Sequence, residues 1–382
     1  MPGALPSFAL ERFFARYEFQ ARYLLCTSDC ESMSVGDLLA MEPGAEAGFH
    51  RHWLGYTESA GSPSLRGEIS RLYEEQGPHN ILVHSGAEEA IYLFMRTLSP
   101  SDHIIVQQPC YQSLHAVAGS IGCDVSAWKA REEDGWRLDP SDLKALIRPA
   151  TRAIVINSPN NPTGSLASRA DFEAILQLAE DRGIILFSDE VYRGLEYDEA
   201  DRLPSACDLG EHAVSLGVMS KAYGLAGLRI GWLATRNTTL LARVAALKDY
   251  TTICSSAPSE FLAELALRHG DAIVRRNRDI IAANLRLLDG FFERRAEHFV
   301  WSRPSAGPIG FPRLRGGDSE RFCDELVRDT GVLLLPGAVY GDRDNHFRIG
   351  FGRRNMPEAL ARLEESLDRQ GRAGRGGTAA VP

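Results

Sequence analysis

Residues 217–232 read GVMSKAYGLAGLRIGW. Two cations, Lys221 and Arg229, stand eight residues apart in a run that is otherwise apolar and glycine-rich. Charge is normally excluded from such a run unless something pairs with it, so the stretch asks what the two cations hold. On either side lie the strand-like HAVSLGVMS (212–220) and RIGWLAT (229–235). Further out, short β-branched runs alternate with longer amphipathic ones: ILVHSG with AEEAIYLFMRTL, HIIVQQP with CYQSLHAVAGSIG, AIVINS with SRADFEAILQLAEDRG, then GIILFSDE. That alternation predicts an α/β fold, a parallel sheet wrapped by helices, in which ligands bind beyond the strand C-termini. A helical pattern over 259–295 leads to GVLLLPGAVYG and HFRIGFG, which read as a second sheet, and to a last helix near 356–369. Residues 370–382, QGRAGRGGTAAVP with the leading Gln, lack an apolar period and read as a disordered tail.

Composition excludes several function classes. The 382 residues are 44% hydrophobic and 24% charged, enough for one large domain and a smaller one. A net charge of −9 and a pI near 5.6 argue against nucleic acid as a partner, and the apolar runs are too short for a bilayer span. MPGALPSFALERFF lacks the basic head and apolar stretch of an export signal, and the seven cysteines form no CxxC pair. A cytoplasmic protein without a metal site is expected.

The strand ends carry the chemistry. In HSGAEEA (84–90), Gly86 and the amides of Ala87 and Glu88 sit at a strand-to-helix junction, where free N–H groups favour an anion. NSPNNPTG (157–164) supplies side-chain amides that a plain turn does not require. In SDEVY (188–192) an acid, Asp189, follows an apolar strand; alone it reads equally well as a helix cap. By periodicity alone, Arg348 in HFRIGFG is a surface arginine on an edge strand. Gly224, Gly227 and Gly231 lack the G-x-G-x-x-G spacing of a dinucleotide site.

Taken in order, YTESAGSPSLR, SGAEEA, QPCY, SPNNPTG, SDEVY, SKAYGLAGLRIGW and HFRIGFG resemble the class I/II aminotransferases among the fold type I pyridoxal phosphate enzymes. The resemblance implies a mostly parallel large domain over 46–295, a smaller α+β domain from 1–45 and 296–369, and a homodimer. It implies that Lys221 forms the Schiff base with the cofactor aldehyde and then shuttles the proton, and that Arg229 and Ser220 grip the phosphate with the amides of Gly86, Ala87 and Glu88. Asp189 would face the pyridine nitrogen. Asn161 and Tyr192 would bond the ring oxygen, Tyr111 would stack on the ring, and Tyr56 would reach the neighbouring subunit's phosphate. Arg348 would clamp the substrate α-carboxylate, the substrates being an L-amino acid and a keto acid.

Two features depart from that pattern. Val218 stands where many relatives carry Ser or Thr, so one hydroxyl contact to the phosphate is lost unless Ser220 compensates. LLCTSDCESMS (24–34) brings two acids, Asp29 and Glu31, near the substrate side chain, as solvated loop charges or as selectors of a basic substrate. The whole-chain pattern also looks like capreomycidine synthase, a cyclase of arginine-derived substrates, which leaves cyclisation or elimination open beside transamination.

Overall fold

The computed structural model describes the backbone of residues 3–376. Its central sheet has seven strands: β1 (Ile81–His84), β2 (His103–Gln108), β3 (Asp124–Lys129), β4 (Thr151–Asn157), β5 (Ile185–Asp189), β6 (Ala213–Val218) and β7 (Gly231–Ala234), in the order β1-β7-β6-β5-β4-β2-β3. Only β7 runs antiparallel to its neighbours. Strands β1, β4, β5, β6 and β7 are buried almost throughout, as expected of strands covered by helices on both faces. Phe187 of β5 packs on Phe94, ring centroids 4.5 Å apart, in a core where an aromatic-to-alanine change costs about 3–5 kcal/mol. Strand β3 was not anticipated, and its pattern is the most exposed of the seven, with only Trp128 buried. It is the edge strand, and polar residues such as Asp124 and Lys129 hide its apolar alternation.

Register brings the strand ends together. Asn157 pairs with Asp189, Asp189 with Leu216, and Val218 with Gly231, which also faces His84. The loops that leave these positions therefore open on one rim.

A second unit joins the two ends of the chain. Helix α1 (Ala9–Tyr17) packs with Leu10 and Phe14 in a cluster containing Cys26, Val327, Leu333 and Leu335. Tyr23–Leu24 pairs in parallel with Val332–Leu333, and Phe347–Gly350 lies between Ile309–Gly310 and Leu335–Pro336. The helical pattern over 259–295 is two helices, α2 (Ala257–Arg268) and α3 (Gly270–Arg294), because the chain breaks at His269 before Gly270. The last helix, α4 (Met356–Gly376), runs past the predicted end at 369, through a stretch that contains Gly371, Gly374 and Gly376. Residues 377–382 of the predicted tail lie outside the described residues.

Candidate active site

The rim encloses a cavity of about 350 Å³ that Ala87, Glu88, Tyr111, Asn161, Asp189, Tyr192, Ser220, Lys221, Arg229, Arg348 and Asp29 all help to line. Lys221 leaves β6 on a loop closed by the Met219 amide to the Ile230 carbonyl (3.0 Å) and the Leu225 amide to the Met219 carbonyl (2.9 Å). Asn277 of α3 donates to the Ala222 carbonyl (2.9 Å) and pins the loop from below. Gly224 turns it with φ of +68°, and a Cβ there would stand 2.7 Å from the Glu31 carbonyl oxygen. Lys221 Nζ donates to Ser28 Oγ (3.0 Å). Burial pushes its pKa below the ordinary lysine range, Asp29 opposes that shift, and Arg348 adds to it.

Asp189 ends β5 and is buried. Burial raises its carboxyl pKa to about 7, against the Val191 amide, which donates to Oδ1 (3.2 Å), and the nearby Lys221. It caps no regular helix in this structure; a turn follows it. Asn157 Nδ2 donates to the Asp189 carbonyl (3.0 Å), while Asn157 Oδ1 accepts from the Asn161 amide (2.6 Å), so one side chain ties two strand ends.

Arg348 is 1% exposed, which corrects the edge-strand reading: its strand is the middle one of three. Its Nε donates to the Cys26 carbonyl (2.9 Å), and its Nη1 donates to Asn161 Oδ1 (3.0 Å) and the Tyr340 hydroxyl (2.5 Å). All three acceptors are neutral. Among the described residues no carboxylate forms an ion pair with it, so a buried guanidinium faces the cavity without a counter-ion.

At the opposite end, Gly86 holds φ of +82°, and a Cβ on it would collide with the Arg229 guanidinium. Ala87 and Glu88 open the helix Ala87–Met95 beside it. Glu88 turns its carboxylate to Ser113 Oγ (2.9 Å), and burial holds its pKa above the usual carboxylate range. Tyr111 packs on Phe8 (5.1 Å between centroids), and the Tyr192 hydroxyl is buried beside Ser28, without a well-formed hydrogen bond among the described residues.

Two predicted site residues lie elsewhere. Glu31 is outside the cavity, its carboxylate turned back to the Arg354 amide (3.1 Å). Tyr56 is 87% exposed and outside the cavity of its own chain. Asp29 is in the cavity but already paired with Arg353 (2.8 Å). Sequence reasoning missed Ser28, Asn157, Tyr340, Glu11 and Glu18. Asn157 stood inside the quoted NSPNNPTG and Tyr340 inside GVLLLPGAVYG, whereas Glu11 lies in a helix, and Glu18 at its C-cap, with no motif around them.

The residues fit pyridoxal phosphate. The arginine over a side-chain-free glycine suits a phosphate, a depressed lysine suits an aldehyde, and a buried acid and a buried phenol suit the two polar edges of a pyridine ring. Comparison agrees. The family model for aminotransferase class I and II matches residues 25–363. Capreomycidine synthase of Streptomyces vinaceus is 30% identical over 99% of this chain and 98% of its own. A PLP-dependent aminotransferase from Streptococcus suis 89-1591 superposes with a TM-score of 0.90 at 33% identity, covering 96% of this chain and 98% of its own. The PLP-dependent cyclase OrfR follows with a TM-score of 0.89 at 28% identity, covering 97% and 99%. The chain belongs to the class I and II aminotransferase family.

Proposed function

We propose that this protein is a pyridoxal phosphate-dependent aminotransferase that moves the amino group of an L-amino acid to a keto acid. One observation carries the reading: a partly buried lysine of lowered pKa, a buried aspartate of raised pKa and a buried arginine without a carboxylate partner among the described residues line one cavity. When bound, pyridoxal phosphate supplies an aldehyde that captures the amino nitrogen and a ring that accepts electron density from the α-carbon.

The chain's residues do the rest. Arg229, Ser220 and the first amides of the helix after Gly86 hold the phosphate. Asp189 places its negative charge at the ring nitrogen. Tyr192 and Asn161 hold the ring oxygen; Asn161 spends its Oδ1 on Arg348 and Tyr340, which leaves its Nδ2 for that purpose. Tyr111 covers one ring face. Arg348, with Nε and Nη1 already fixed, turns its remaining N–H groups to the α-carboxylate and so orients the α-carbon. Lys221 takes the α-proton on Nζ, holds it, and returns it; burial favours the neutral amine this requires.

The working form is proposed to be a homodimer. Trp53, Leu54, Tyr56, Tyr250 and Ile253 are 79%, 76%, 87%, 90% and 54% exposed, an unusual run of bare apolar side chains. They form one patch, because buried Lys248 donates to the Ser59 carbonyl (2.5 Å) and Thr57 Oγ1 donates to the Ser255 carbonyl (3.2 Å). A second copy on this patch brings Tyr56 to the other cavity's phosphate end. Among the described residues no helix is long and apolar enough to cross a membrane, and the seven cysteines are unpaired, which supports a reducing cytoplasm.

A second reading, a cyclase or eliminase of a modified amino acid, draws on the likeness to capreomycidine synthase and to the OrfR cyclase. Dependence on a keto acid separates the two. An aminotransferase stops after one equivalent of amino acid when no keto acid is present; a cyclase continues. Borohydride reduction of the yellow holoprotein followed by peptide mapping is expected to find the cofactor on Lys221, and a label on any other lysine would refute the site.

A further inference from the structure

Helix α1 turns Glu11 and Phe14 to the cavity, and its C-cap residue Glu18, still in αR conformation, continues the same face at spacings of three and four residues. The wall they form is fixed. Ala9 N donates to Gln112 Oε1 (2.9 Å), Gln112 Nε2 donates to the Ser7 carbonyl (3.0 Å), and the Tyr17 hydroxyl donates to Asp324 Oδ1 (2.6 Å). Charge in the cavity is unequally matched. Asp29 is paired with Arg353, Asp189 lies beside Lys221, and Glu88 accepts from Ser113. Glu11 accepts only a long bond from the Tyr111 hydroxyl (3.3 Å), and among the described residues neither Glu11 nor Glu18 has a cation as ion-pair partner. Burial, then Glu11 and Asp29, hold the Glu18 carboxyl above its ordinary pKa, and the nearby Arg353, already paired with Asp29, opposes that rise. One further feature of the same cavity calls for a ligand of defined polarity: Arg348, buried without a carboxylate partner among the described residues. Phe14 stands between the two ends, its ring centroid 6.0 Å from the Arg348 guanidinium carbon. A substrate held at its α-carboxylate by Arg348 would run its side chain along Phe14 toward the glutamates, and an aromatic face beside acids suits a cation.

We infer that Glu11 and Glu18 are the specificity-determining groups of this cavity and select an amino acid whose side chain ends in a guanidinium or ammonium group. The inference rests on the aminotransferase reading of the same cavity. Asp29, the acid that the sequence offered for this role, is spent on Arg353. Glu18 is the more sheltered of the two and carries more of the discrimination; Glu11 stands exposed at the mouth and steers.

The test compares kcat/KM for arginine with that for citrulline, which has the same length and a neutral end, with lysine and ornithine as ammonium arms. Dissociation constants from titration of the holoprotein give a second readout. The wild type is expected to prefer arginine or the ammonium substrates over citrulline by at least about tenfold. Glu18→Gln should shrink that ratio about tenfold and Glu11→Gln about threefold, and raised salt should shrink the wild-type ratio as well. Glu18→Lys should turn the preference toward glutamate, a gain that misfolding does not produce. Equal handling of arginine and citrulline by a wild type that turns over other amino acids overturns the inference and leaves the aminotransferase reading standing. Failure to bind pyridoxal phosphate or to process any amino acid removes both.

Discussion

The cavity has two walls of different construction. One is made of the loops that leave β1, β2, β4, β5 and β6, where each functional group sits within a few residues of a strand end and the sheet sets the spacing. The other is made of α1, residues 25–30 and the strand Phe347–Gly350, joined by contacts across more than three hundred residues: Arg348 to the Cys26 carbonyl, Arg353 to Asp29, and the Glu31 amide to the Gly352 carbonyl (2.8 Å). The first wall can hold an invariant chemical group because its geometry is local. The second meets whatever the substrate brings, and its side chains can change without disturbing the sheet.

Substitutions should separate the walls by size of effect. Lys221→Ala, in the first wall, is expected to cost turnover about 10⁴-fold while the protein still binds cofactor through Arg229, measured by single-turnover kinetics beside a cofactor titration. Normal turnover would remove the lysine from the chemistry. Arg348→Ala, on the second wall, should lower kcat/KM by about 10²- to 10³-fold, because it removes the buried cation proposed to meet the α-carboxylate and takes one donor each from Asn161 Oδ1 and the Tyr340 hydroxyl. A loss equally large for simple amines would show that the residue acts on the fold instead.

Asp189→Asn should slow the reaction by about 10- to 100-fold, the worth of one charge-assisted hydrogen bond. It also has a stability signature of opposite sign. In the protein without cofactor the carboxyl titrates at about 7, above the 3.8 of an unperturbed aspartate, so on its account the fold loses stability as pH climbs from about 4 through about 7. Asparagine has no charge to bury. The cofactor-free variant should therefore melt above the wild type at pH 8 and close to it at pH 4; equal melting at both would mean that Asp189 is not held in the buried setting described. The smallest effect is expected of Tyr340→Phe, which takes one acceptor from Arg348 and should raise KM by about three- to tenfold with kcat less affected.

The same division explains what could be read in advance. Lys221, Asp189 and Asn161 each lie in a short motif whose residue types are costly to bury without a partner, Arg229 shares the motif of Lys221 though its side chain is exposed, and the alternation of strands and helices set their common rim. Glu31 misled because acids near the substrate end are not told apart by sequence: a turn of the backbone sends its carboxylate to the Arg354 amide. Glu11 and Glu18 were illegible for the converse reason, since a charged residue on an N-terminal amphipathic helix ordinarily faces water, and only docking of Leu10 against Cys26, Leu333 and Leu335 aims this face inward. The break at His269–Gly270 was hidden by an apolar period that continues on both sides of it.

The most direct test of the central claim is a half-reaction. Holoprotein mixed with an L-amino acid, arginine included, and no keto acid should lose its yellow band as the nitrogen remains on the cofactor, and an added keto acid should restore it. Consumption of the amino acid over many turnovers with the yellow band intact and no keto acid present would contradict transamination and put the cyclase reading in its place.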